Sequence, residues 1–388
     1  MTKHDVIIVG AGITGASTAY QLKKRGVGRV LLLERQVPAA GGTGKSAAIV
    51  RQHYSTRLMT RLAHAAVGMF QAMPDELGQD GGYRRVGYAF LTPPDSIAGS
   101  RRNVEMQRQV GIETRFLEPA EIATRMPWLN TDGVAGVIWE EQGGFADPVR
   151  STEAYVEAFR RLGGEVRLKT ACRGLVRRGD RVEGVVTDEG ELAAGTVVNA
   201  AGPWAPKLAE LAGIELTMRT LREQDTVWQW RPNRPMPECS ISDAVDAIYL
   251  RPLGERRVVL GRGFPKPYID CDPENYKQSA DEAFIDELRE RAELRFPTFQ
   301  GAALVDSYSA LYDVTPDWYP FVGPRAGLSG YYDASGGSGH GFKIAPAIGR
   351  ELAGWIVDGR AAEDFAGLSY DRVARKQLFQ QTYGGNRG

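Results

Sequence analysis

The segment that most constrains the fold is DVIIVGAGITGASTAYQLKKRGVGRVLLLER, residues 5–35. Its first apolar run, residues 6–9, predicts a buried strand, and a helical stretch and a second apolar run ending at Glu34 follow. Three glycines stand between the first run and the helix in G-x-G-x-x-G spacing: Gly10, Gly12 and Gly15. The order of strand, glycine turn, helix, strand and acid predicts a βαβ unit that binds a dinucleotide.

Each part of this motif has a physical task in dinucleotide binding. The glycines allow a tight turn, a close approach of backbone to a pyrophosphate and close packing of helix on strand, while the helix N-terminus favours the negative charge. Glu34 lies about 20 residues further on, where a carboxylate accepts hydrogen bonds from ribose hydroxyls. Because Glu34 would repel a 2'-phosphate, we interpret Arg35 as a solvated or adenine-side residue.

Later segments favour FAD over NAD. GGTGKSAAIVRQHY (residues 41–54) is a second glycine loop, placed where a plain NAD domain would continue into its next helix. A β-meander at about residues 182–194 is followed by a strand at 197–200 that ends in Gly202 and Trp204. This is the layout of glutathione-reductase-type flavoproteins, although Gly202 is also compatible with a simple turn at a helix start.

A second domain is indicated by a change of pattern. TVWQWRP, AIYLRPL and RRVVLGRG alternate apolar and polar residues between turns, which is typical of antiparallel strands with one covered face. The expected fold class is therefore α/β: a glutathione-reductase-type FAD-binding Rossmann domain with an inserted, mainly antiparallel β substrate domain. Its FAD-binding parts are residues 1–87, 150–220 and 323–388, and its substrate-binding parts are residues 88–149 and 221–322.

Local signals predict two helix starts. Asp147 is suited to an N-cap and Pro148 to the first helical position of a helix running to Gly163. Near the end, SGGSGHGFK (residues 335–343) precedes IAPAIGRELAGWIVDG, where Pro346 suits a helix start. The glycines would then lie ahead of a helix N-terminus, whose partial positive charge is suited to the flavin edge that becomes anionic on reduction.

Composition narrows the partners. Lysine plus arginine equals aspartate plus glutamate at 48 each, which disfavours nucleic acid and membrane surfaces and favours a small-molecule substrate. No apolar run has membrane-spanning length, and three widely spaced cysteines suit reduced thiols in a cytoplasmic protein. DCDPENYKQSADE (residues 270–282) lacks the glycine of a calcium loop, so no metal is expected, and the polar tail QQTYGGNRG is expected to fray.

The motifs together resemble the FAD-dependent amine oxidoreductases of the D-amino-acid oxidase superfamily, particularly sarcosine oxidases and sarcosine oxidase beta-subunit-like proteins. The resemblance covers nearly the whole chain and rests on GAGITG, SAAIVRQHY, VVNAAGPWA, ALYDVTPDWYPFVG and SGGSGHGFKIAPAIG, in family order. It implies that Arg51 and Lys343 hold a substrate carboxylate over the flavin and that Tyr249 closes the pocket. Paired cations also suit a carboxylate buried against an apolar ring.

The resemblance implies oxidation of a secondary or N-substituted amino acid by hydride transfer to flavin N5, followed by imine hydrolysis. His340 is a fourth catalytic candidate, and the alternative is a buried, hydrogen-bonded ring. The residues expected at the cofactor are Gly10, Gly12, Ile13, Thr14, Gly15, Glu34, Arg35, Gly42, Thr43, Ser46, Ala47, Ala48, Cys172, Ala200, Ala201, Gly202, Trp204, Gly337, Gly339, His340, Gly341, Phe342 and Lys343.

Several residues depart from the family pattern. Ala310 replaces the cysteine that carries covalent FAD, so noncovalent FAD is expected, and Gly263 replaces a substrate-side histidine, which suggests a substrate larger than sarcosine. Trp228 and Trp230 are candidates to line a roomier pocket or to pack in the core. Val259 stands where sarcosine oxidases have a lysine that favours reaction with oxygen, so slow reoxidation by oxygen is expected.

Other functions remain open from the sequence. They are a D-amino-acid or cyclic imino-acid dehydrogenase with a non-oxygen acceptor, a flavin-binding subunit of a heteromeric amine dehydrogenase with partner subunits, an NAD-dependent dehydrogenase and a flavin hydroxylase. The electron acceptor is either oxygen or another oxidant.

Overall fold

The computed structural model describes residues 3–380, so the tail from residue 381 onward lies outside the described residues. The strands, in chain order, are β1 His4–Val9, β2 Val30–Leu33, β3 Ile49–Val50, β4 Arg84–Arg85, β5 Tyr88–Thr92, β6 Thr114–Leu117, β7 Gly136–Glu140, β8 Gly144–Phe145, β9 Glu165–Arg167, β10 Cys172–Arg178, β11 Arg181–Thr187, β12 Gly190–Asn199, β13 Arg219–Gln229, β14 Ser240–Asp243, β15 Ile248–Gly254, β16 Arg257–Arg262, β17 Ile269–Asp270, β18 Ala303–Val314, β19 Phe321–Arg325 and β20 Leu328–Ser335.

The helices are α1 Ile13–Lys24, α2 Arg57–Leu77, α3 Ile97–Val110, α4 Pro119–Arg125, α5 Pro148–Arg161, α6 Ala205–Glu210, α7 Glu282–Arg295, α8 Gly341–Asp358, α9 Glu363–Ala366 and α10 Asp371–Ala374. Short 3-10 turns occur at Pro94–Ser96, Gly202–Trp204 and Pro297–Phe299.

The first sheet has the strand order β10-β11-β20-β12-β1-β2-β9, with β19 beside β20. Its central strands β20, β12, β1, β2 and β9 run parallel. The meander predicted near residues 182–194 is present as the antiparallel strands β10, β11 and β12. Together with helix α1 between β1 and β2, this arrangement confirms the predicted Rossmann-type fold.

The parallel register brings together motifs that are far apart in the sequence. Val9 pairs with Leu33 and with Asn199, and Asn199 pairs with Asp333. The residues that follow these strand ends therefore share one edge of the sheet. The register therefore brings four segments to this edge: the first glycine motif, Glu34, the Ala200–Trp204 turn, and the glycine-rich segment of residues 335–343, called the late glycine loop.

Helices α1, α2, α5 and α8 cover one face of this sheet with a large apolar core. Ile8 and Leu32 of the sheet belong to that core with Ala16, Phe70 and Ile348 of the helices. Burial of such side chains contributes roughly 25 cal/mol for each Å² removed from water, so the sheet and its helices form one tightly packed layer structure.

The second sheet is mainly antiparallel and has the order β17-β13-β16-β15-β14-β5-β7-β6, with β18 also paired to β13. It takes its strands from residues 88–140 and 219–314, whereas the first sheet uses residues 4–33, 165–199 and 321–335. The domain boundaries given above stay a prediction. A small third sheet has the order β3-β8-β4, and its strand β3 ends directly before Arg51.

Of the two predicted helix starts, one is confirmed and one is wrong. The Asp147 carboxylate accepts hydrogen bonds from the amides of Val149 and Arg150 at 3.0 Å, and α5 starts at Pro148 as expected. Helix α8 begins at Gly341 and contains Pro346. The fixed φ of proline is compatible with a helix interior, so Pro346 does not have to mark a helix start. Its cost there is one hydrogen bond, because Pro346 has no N–H to donate to the carbonyl of Phe342.

Between residues 3 and 380, no helix is long and apolar enough to cross a membrane. The three cysteines, Cys172, Cys239 and Cys271, are free thiols.

The contact between Gly15 and Gly10 gives a test of the fold. A Cβ at Gly15 would lie 1.9 Å from the Gly10 carbonyl oxygen, so Gly15→Ala must separate α1 from β1. We expect the free energy of unfolding of the apoprotein to fall by about 1–3 kcal/mol in urea titrations followed by circular dichroism. Gly68→Ala in α2 is the control, because no atom lies within 4 Å of the added Cβ. Equal stabilities of the two variants would contradict this account.

Candidate active site

One cavity of about 770 Å³ lies between the carboxyl edge of the first sheet and one face of the second. All the site residues predicted from the sequence line it except Gly15 and His340. Gly15 packs α1 against β1, as described above, and therefore supports the cavity from behind. The cavity also includes residues that the sequence did not indicate, among them Lys45, Lys207, Asp225, Ser242, Glu274 and Tyr312.

The first glycine turn forms a bare cradle at one end of the cavity. Gly10 has a φ of +108°, and a Cβ there would lie 2.5 Å from the Ala200 carbonyl oxygen. Helix α1 begins after Gly12 without a capping side chain and without an acidic residue in its first turn. Such a helix end offers backbone N–H groups and partial positive charge to an anion, as a pyrophosphate requires.

Glu34 is held at the end of β2 beside this cradle. Its Oε2 accepts a hydrogen bond from the Ala11 amide at 2.9 Å, and its Oε1 accepts one from the Gln36 amide at 2.8 Å. These two backbone bonds fix the carboxylate at the cavity wall, where the remaining lone pairs can accept ribose hydroxyls.

Trp204 and Arg35 form the wall next to Glu34. The Arg35 guanidinium carbon lies 4.2 Å from the centre of the Trp204 ring and Nη1 is 2.7 Å from a Glu274 oxygen. Trp204 Nε1 is buried and has no hydrogen-bond partner. A buried N–H of this kind is costly unless an acceptor meets it, and a polar dinucleotide in the cavity offers one. The cradle, Glu34 and this N–H fit FAD.

The acidic loop after β17 packs over the same end of the cavity. Glu274 pairs with Arg35, and Asp272 pairs with Lys207 at 2.8 Å. Lys45 donates to the Tyr276 hydroxyl and to the Ser309 carbonyl, both at 3.0 Å. Two acids of the segment at residues 270–282, Asp272 and Glu274, are thus paired with basic side chains that line the cavity.

The late glycine loop crowds strand β18 and leads into α8 at the other end of the cavity. A Cβ at Gly339 would lie 2.3 Å from the Tyr312 ring, and Gly339 has a φ of +79°. The Gly336 amide donates to Asp313 Oδ2 at 2.8 Å. Helix α8 starts at Gly341 with no acid in its first turn, so its N-terminus presents positive potential at the cavity.

Two buried cations, Arg51 and Lys343, lie together at this end. Their exposed fractions are 5% and 8%, and both line the cavity. The Arg51 guanidinium carbon lies 4.7 Å from the centre of the Tyr54 ring and 5.9 Å from that of Tyr88. Burial, and then the charge of Arg51, lower the pKa of Lys343 well below its usual value. Two buried basic side chains of this kind favour an anionic ligand at this end of the cavity.

The loop that carries Arg51 is held by Glu140, a residue that no sequence motif indicated. Glu140 is fully buried on β7, and its Oε2 accepts the Gln52 amide at 2.7 Å. Arg51 itself donates to the His53 carbonyl. Burial raises the pKa of Glu140 to about 7, against the opposing effects of the Gln52 amide and Arg51. Glu140 therefore positions the loop rather than the ligand.

His340 lies outside the cavity lining, and its roles as a catalytic and a cofactor residue stay predictions. Its Nε2 is 2.8 Å from the Trp318 carbonyl oxygen and its Nδ1 is 3.3 Å from the Tyr54 hydroxyl. Burial, followed by the charges of Lys343 and Arg51, lowers the pKa of His340 to about 3. The ring is neutral, with both nitrogens engaged, which is the alternative that the sequence left open.

Tyr249 lines the cavity as predicted, and its hydrogen-bond partner Asp225 lines it too. The Tyr249 hydroxyl donates to Asp225 Oδ1 at 2.6 Å. Both side chains lie on one face of the second sheet, and both contribute to the cavity wall. Asp225 has no sequence motif around it, and only the pairing of β13, β15 and β16 reveals it.

Trp228 and Trp230 do not line the pocket but are fully buried in the core on the opposite face of this sheet. They pack on Phe299 with ring centroids 5.3 and 5.1 Å apart. Arg262 also belongs to that face, because its Nε is 3.1 Å from Glu287 on α7. Val259 is buried and lies three residues earlier on β16, so it belongs to the other face of the sheet and Arg262 points away from it.

Comparisons with known proteins agree with this geometry. The model of the family described as "FAD dependent oxidoreductase" (DAO) matches residues 5–355. The chain is 27% identical to 4-methylaminobutanoate oxidase (formaldehyde-forming) of Paenarthrobacter nicotinovorans over 97% of this chain and 47% of that protein. It is 25% identical to sarcosine oxidase subunit beta of Rhodobacter capsulatus over 92% of this chain and 86% of that one.

Among solved structures, L-proline dehydrogenase from P. horikoshii is similar with a TM-score of 0.89 and 25% identity, covering 97% of this chain and 99% of that chain. The chain spans about half the length of 4-methylaminobutanoate oxidase. Because the family model covers most of the chain and the cavity fits its cofactor, this chain belongs to the DAO family of FAD-dependent oxidoreductases.

Proposed function

We propose that the protein oxidises the C–N bond of a secondary or N-substituted amino acid to an imine, which then hydrolyses. The observation that carries this proposal is the pair of buried cations, Arg51 and Lys343, in the cavity that also holds the dinucleotide cradle. Two buried basic side chains that line one cavity favour an anionic ligand there. A substrate carboxylate would supply that anion.

Arg51 and Lys343 would bind the carboxylate in different ways. Arginine offers a planar pair of N–H donors that matches a carboxylate, and the rings of Tyr54 and Tyr88 restrict its orientation. Lysine supplies a compact charge whose protonated form a bound carboxylate would favour. The clamp would fix one end of the substrate, so that the C–H bond next to the nitrogen is held in one orientation.

FAD supplies the hydride acceptor when it is bound. The chain would hold the substrate against it and exclude water from the carbon that is oxidised. The apolar part of the cavity and the nearby charge of Lys343 would also lower the pKa of the substrate amine. The neutral amine, which is the reactive form, would therefore be favoured. Imine hydrolysis needs only water after release.

A cyclic imino acid is a second candidate substrate. Similarity to L-proline dehydrogenase, over nearly the full length of both chains, favours this candidate. Similarity to a sarcosine oxidase beta subunit, over most of both lengths, supports the further proposal that partner subunits exist. Anaerobic mixing of the flavoprotein with N-alkyl, cyclic and D-amino acids tests the substrate class. Bleaching of the flavin by an amino acid is expected, and a yellow protein that none of them bleaches would contradict the proposal.

Arg51→Ala tests the carboxylate clamp. Removal of one partner of a desolvated charge pair should lower kcat/KM by an amount equivalent to about 2–5 kcal/mol, while FAD stays bound. The control is Arg173→Ala, which removes an arginine that also lines the cavity but pairs with Asp188 at the surface. Near-normal kcat/KM for the best amino acid in the Arg51 variant would exclude Arg51 from the site.

The lowered pKa of Lys343 predicts a pH dependence of anion binding. The ammonium form exists below this pKa, so the affinity for acetate should be highest at low pH and should fall as the pH rises through it. Acetate titrations followed by the flavin spectrum measure this change. Lys343→Met should flatten the dependence, whereas Lys45→Met, at the other end of the cavity, should not. A pH dependence that Lys343→Met leaves unchanged would assign the effect to another group.

Slow reoxidation by oxygen remains our prediction for the second half-reaction. Val259 cannot supply a charge, and the buried Lys266 near Tyr312 pairs with Glu223, which offsets its charge. Stopped-flow mixing of the reduced enzyme with air-saturated buffer should give reoxidation slower than turnover with a dye or quinone acceptor. Reoxidation by oxygen as fast as turnover would identify oxygen as the natural acceptor.

A further inference from the structure

One row of neighbouring residues crosses the sheet face that closes the cavity. Phe90 pairs with Ser242, Ser242 with Tyr249, Tyr249 with Gly261, and Gly261 with Asp225. Paired residues of adjacent strands point to the same side, so the row forms one continuous stripe. Ser242, Tyr249 and Asp225 of this stripe line the cavity.

Gly261 allows Tyr249 to reach Asp225. A Cβ at Gly261 would lie 2.3 Å from Tyr249 Cζ and 2.6 Å from Asp225 Oδ1. The phenol therefore lies over bare backbone and places its hydroxyl 2.6 Å from the carboxylate of Asp225, two strands away. Burial, and then Asp225, raise the pKa of Tyr249 well above its usual value, so the phenol keeps its proton and acts as the donor.

The Asp225 carboxylate keeps acceptor capacity for a ligand. In the described part of the chain, Tyr249 is the one side chain that donates a hydrogen bond to it, through Oδ1. The nearest lysine, Lys266, is paired with Glu223. The Arg251 guanidinium stacks 4.9 Å from the centre of the Phe145 ring. Asp225 is only 3% exposed, and it is one of the residues that line the cavity.

The cavity thus has a cationic and an acidic group along one sheet face. Arg51 lies beside Tyr88, which pairs with Ser240, and Ser242 two residues further on pairs with Tyr249. Arg51, Lys343 and Asp225 all line this one cavity. An amino acid carries a carboxylate and an ammonium group, so one molecule has a group of opposite charge for each kind of side chain.

We propose that Asp225 is a catalytic residue that binds the substrate ammonium and accepts its proton, and that Tyr249 is its positioning residue. In this step the N–H bond breaks, an O–H bond forms on the carboxylate, and the nitrogen keeps the electron pair. The amine becomes neutral, and Asp225 becomes a neutral carboxyl group. This inference rests on the proposed function, because it assumes an amine substrate.

The charges around Asp225 suit a proton acceptor that works near neutral pH. Burial raises its pKa to about 7, the Tyr249 hydrogen bond and Lys266 lower it, Glu223 raises it and Arg251 lowers it. Asp225 is therefore ionised above about pH 7 and protonated below, so amine binding should increase as pH rises through that region. The titratable or charged groups facing it are those of Glu223, Tyr249, Arg251, Lys266 and Tyr308.

A binding experiment tests the ionic contact without turnover. Trimethylammonioacetate and its isostere 3,3-dimethylbutanoate differ only at the central atom, which is a positively charged nitrogen in the first and a neutral carbon in the second. Both can be titrated through the spectrum of bound FAD. The wild type should prefer the cationic compound, more at pH 8.5 than at pH 6. Asp225→Asn keeps the shape and should lose this preference by at least tenfold. An unchanged preference in Asp225→Asn would overturn the proposal.

The pH profile of anaerobic flavin reduction tests the proton transfer. For the wild type, the second-order rate of reduction should rise with pH through about 7. Asp225→Asn should lose this limb and recover only at high pH, where the free amine is already neutral. Tyr249→Phe removes a hydrogen bond that stabilises the carboxylate, so its limb should move to higher pH.

The outcomes separate this inference from the proposed function. If no amino acid bleaches the wild type, the proposed function fails, and the binding comparison still decides whether Asp225 attracts a cation. If the wild type is bleached but both variants keep its pH profile, the inference about Asp225 fails. Should Asp225→Asn not fold, an unshifted limb in Tyr249→Phe is sufficient to reject it.

Discussion

The close contact of bare backbone at the carboxyl edge of the first sheet is the constraint on which the rest of the structure depends. Gly10 approaches the Ala200 carbonyl, and Gly15 approaches the Gly10 carbonyl, at distances that no Cβ allows. This contact sets α1 against β1 and β12 and aims the helix N-terminus into the cavity. The parallel register then brings Glu34 and the late glycine loop to the same edge.

The cavity combines unlike charges that come from different parts of the fold. Arg51 and Lys343 make one end cationic, and Asp225 with Tyr249 makes a neighbouring part acidic. All four groups are buried or partly buried, so their interactions are weakly screened and strongly dependent on what fills the space between them. A ligand that carries both charges stabilises this arrangement, whereas a ligand that carries one leaves part of it uncompensated.

Sequence patterns predicted backbone features better than side-chain directions. The glycine motif, the Asp147 cap and the meander depend on local residues and appear where the patterns indicated. Trp228 lies three residues after the cavity-lining Asp225 on β13, and Trp228 and Trp230 both pack in the core on the opposite face of the sheet. The hydrogen bonds of His340 could not be predicted either, because Trp318 and Tyr54 approach it from distant segments.

By itself, the sequence determined the dinucleotide-binding unit, the two patterns of strands, and, through a family resemblance, many residues of the cavity wall. These features depend on the spacing of residues that are close in the sequence, because the physical constraints on turns and helix ends act over only a few residues. Only the tertiary structure decided that Asp225 meets Tyr249 across Gly261 and that Glu140 holds the Arg51 loop. Such contacts join residues far apart in the chain, and strand register, rather than local spacing, determines which of them meet.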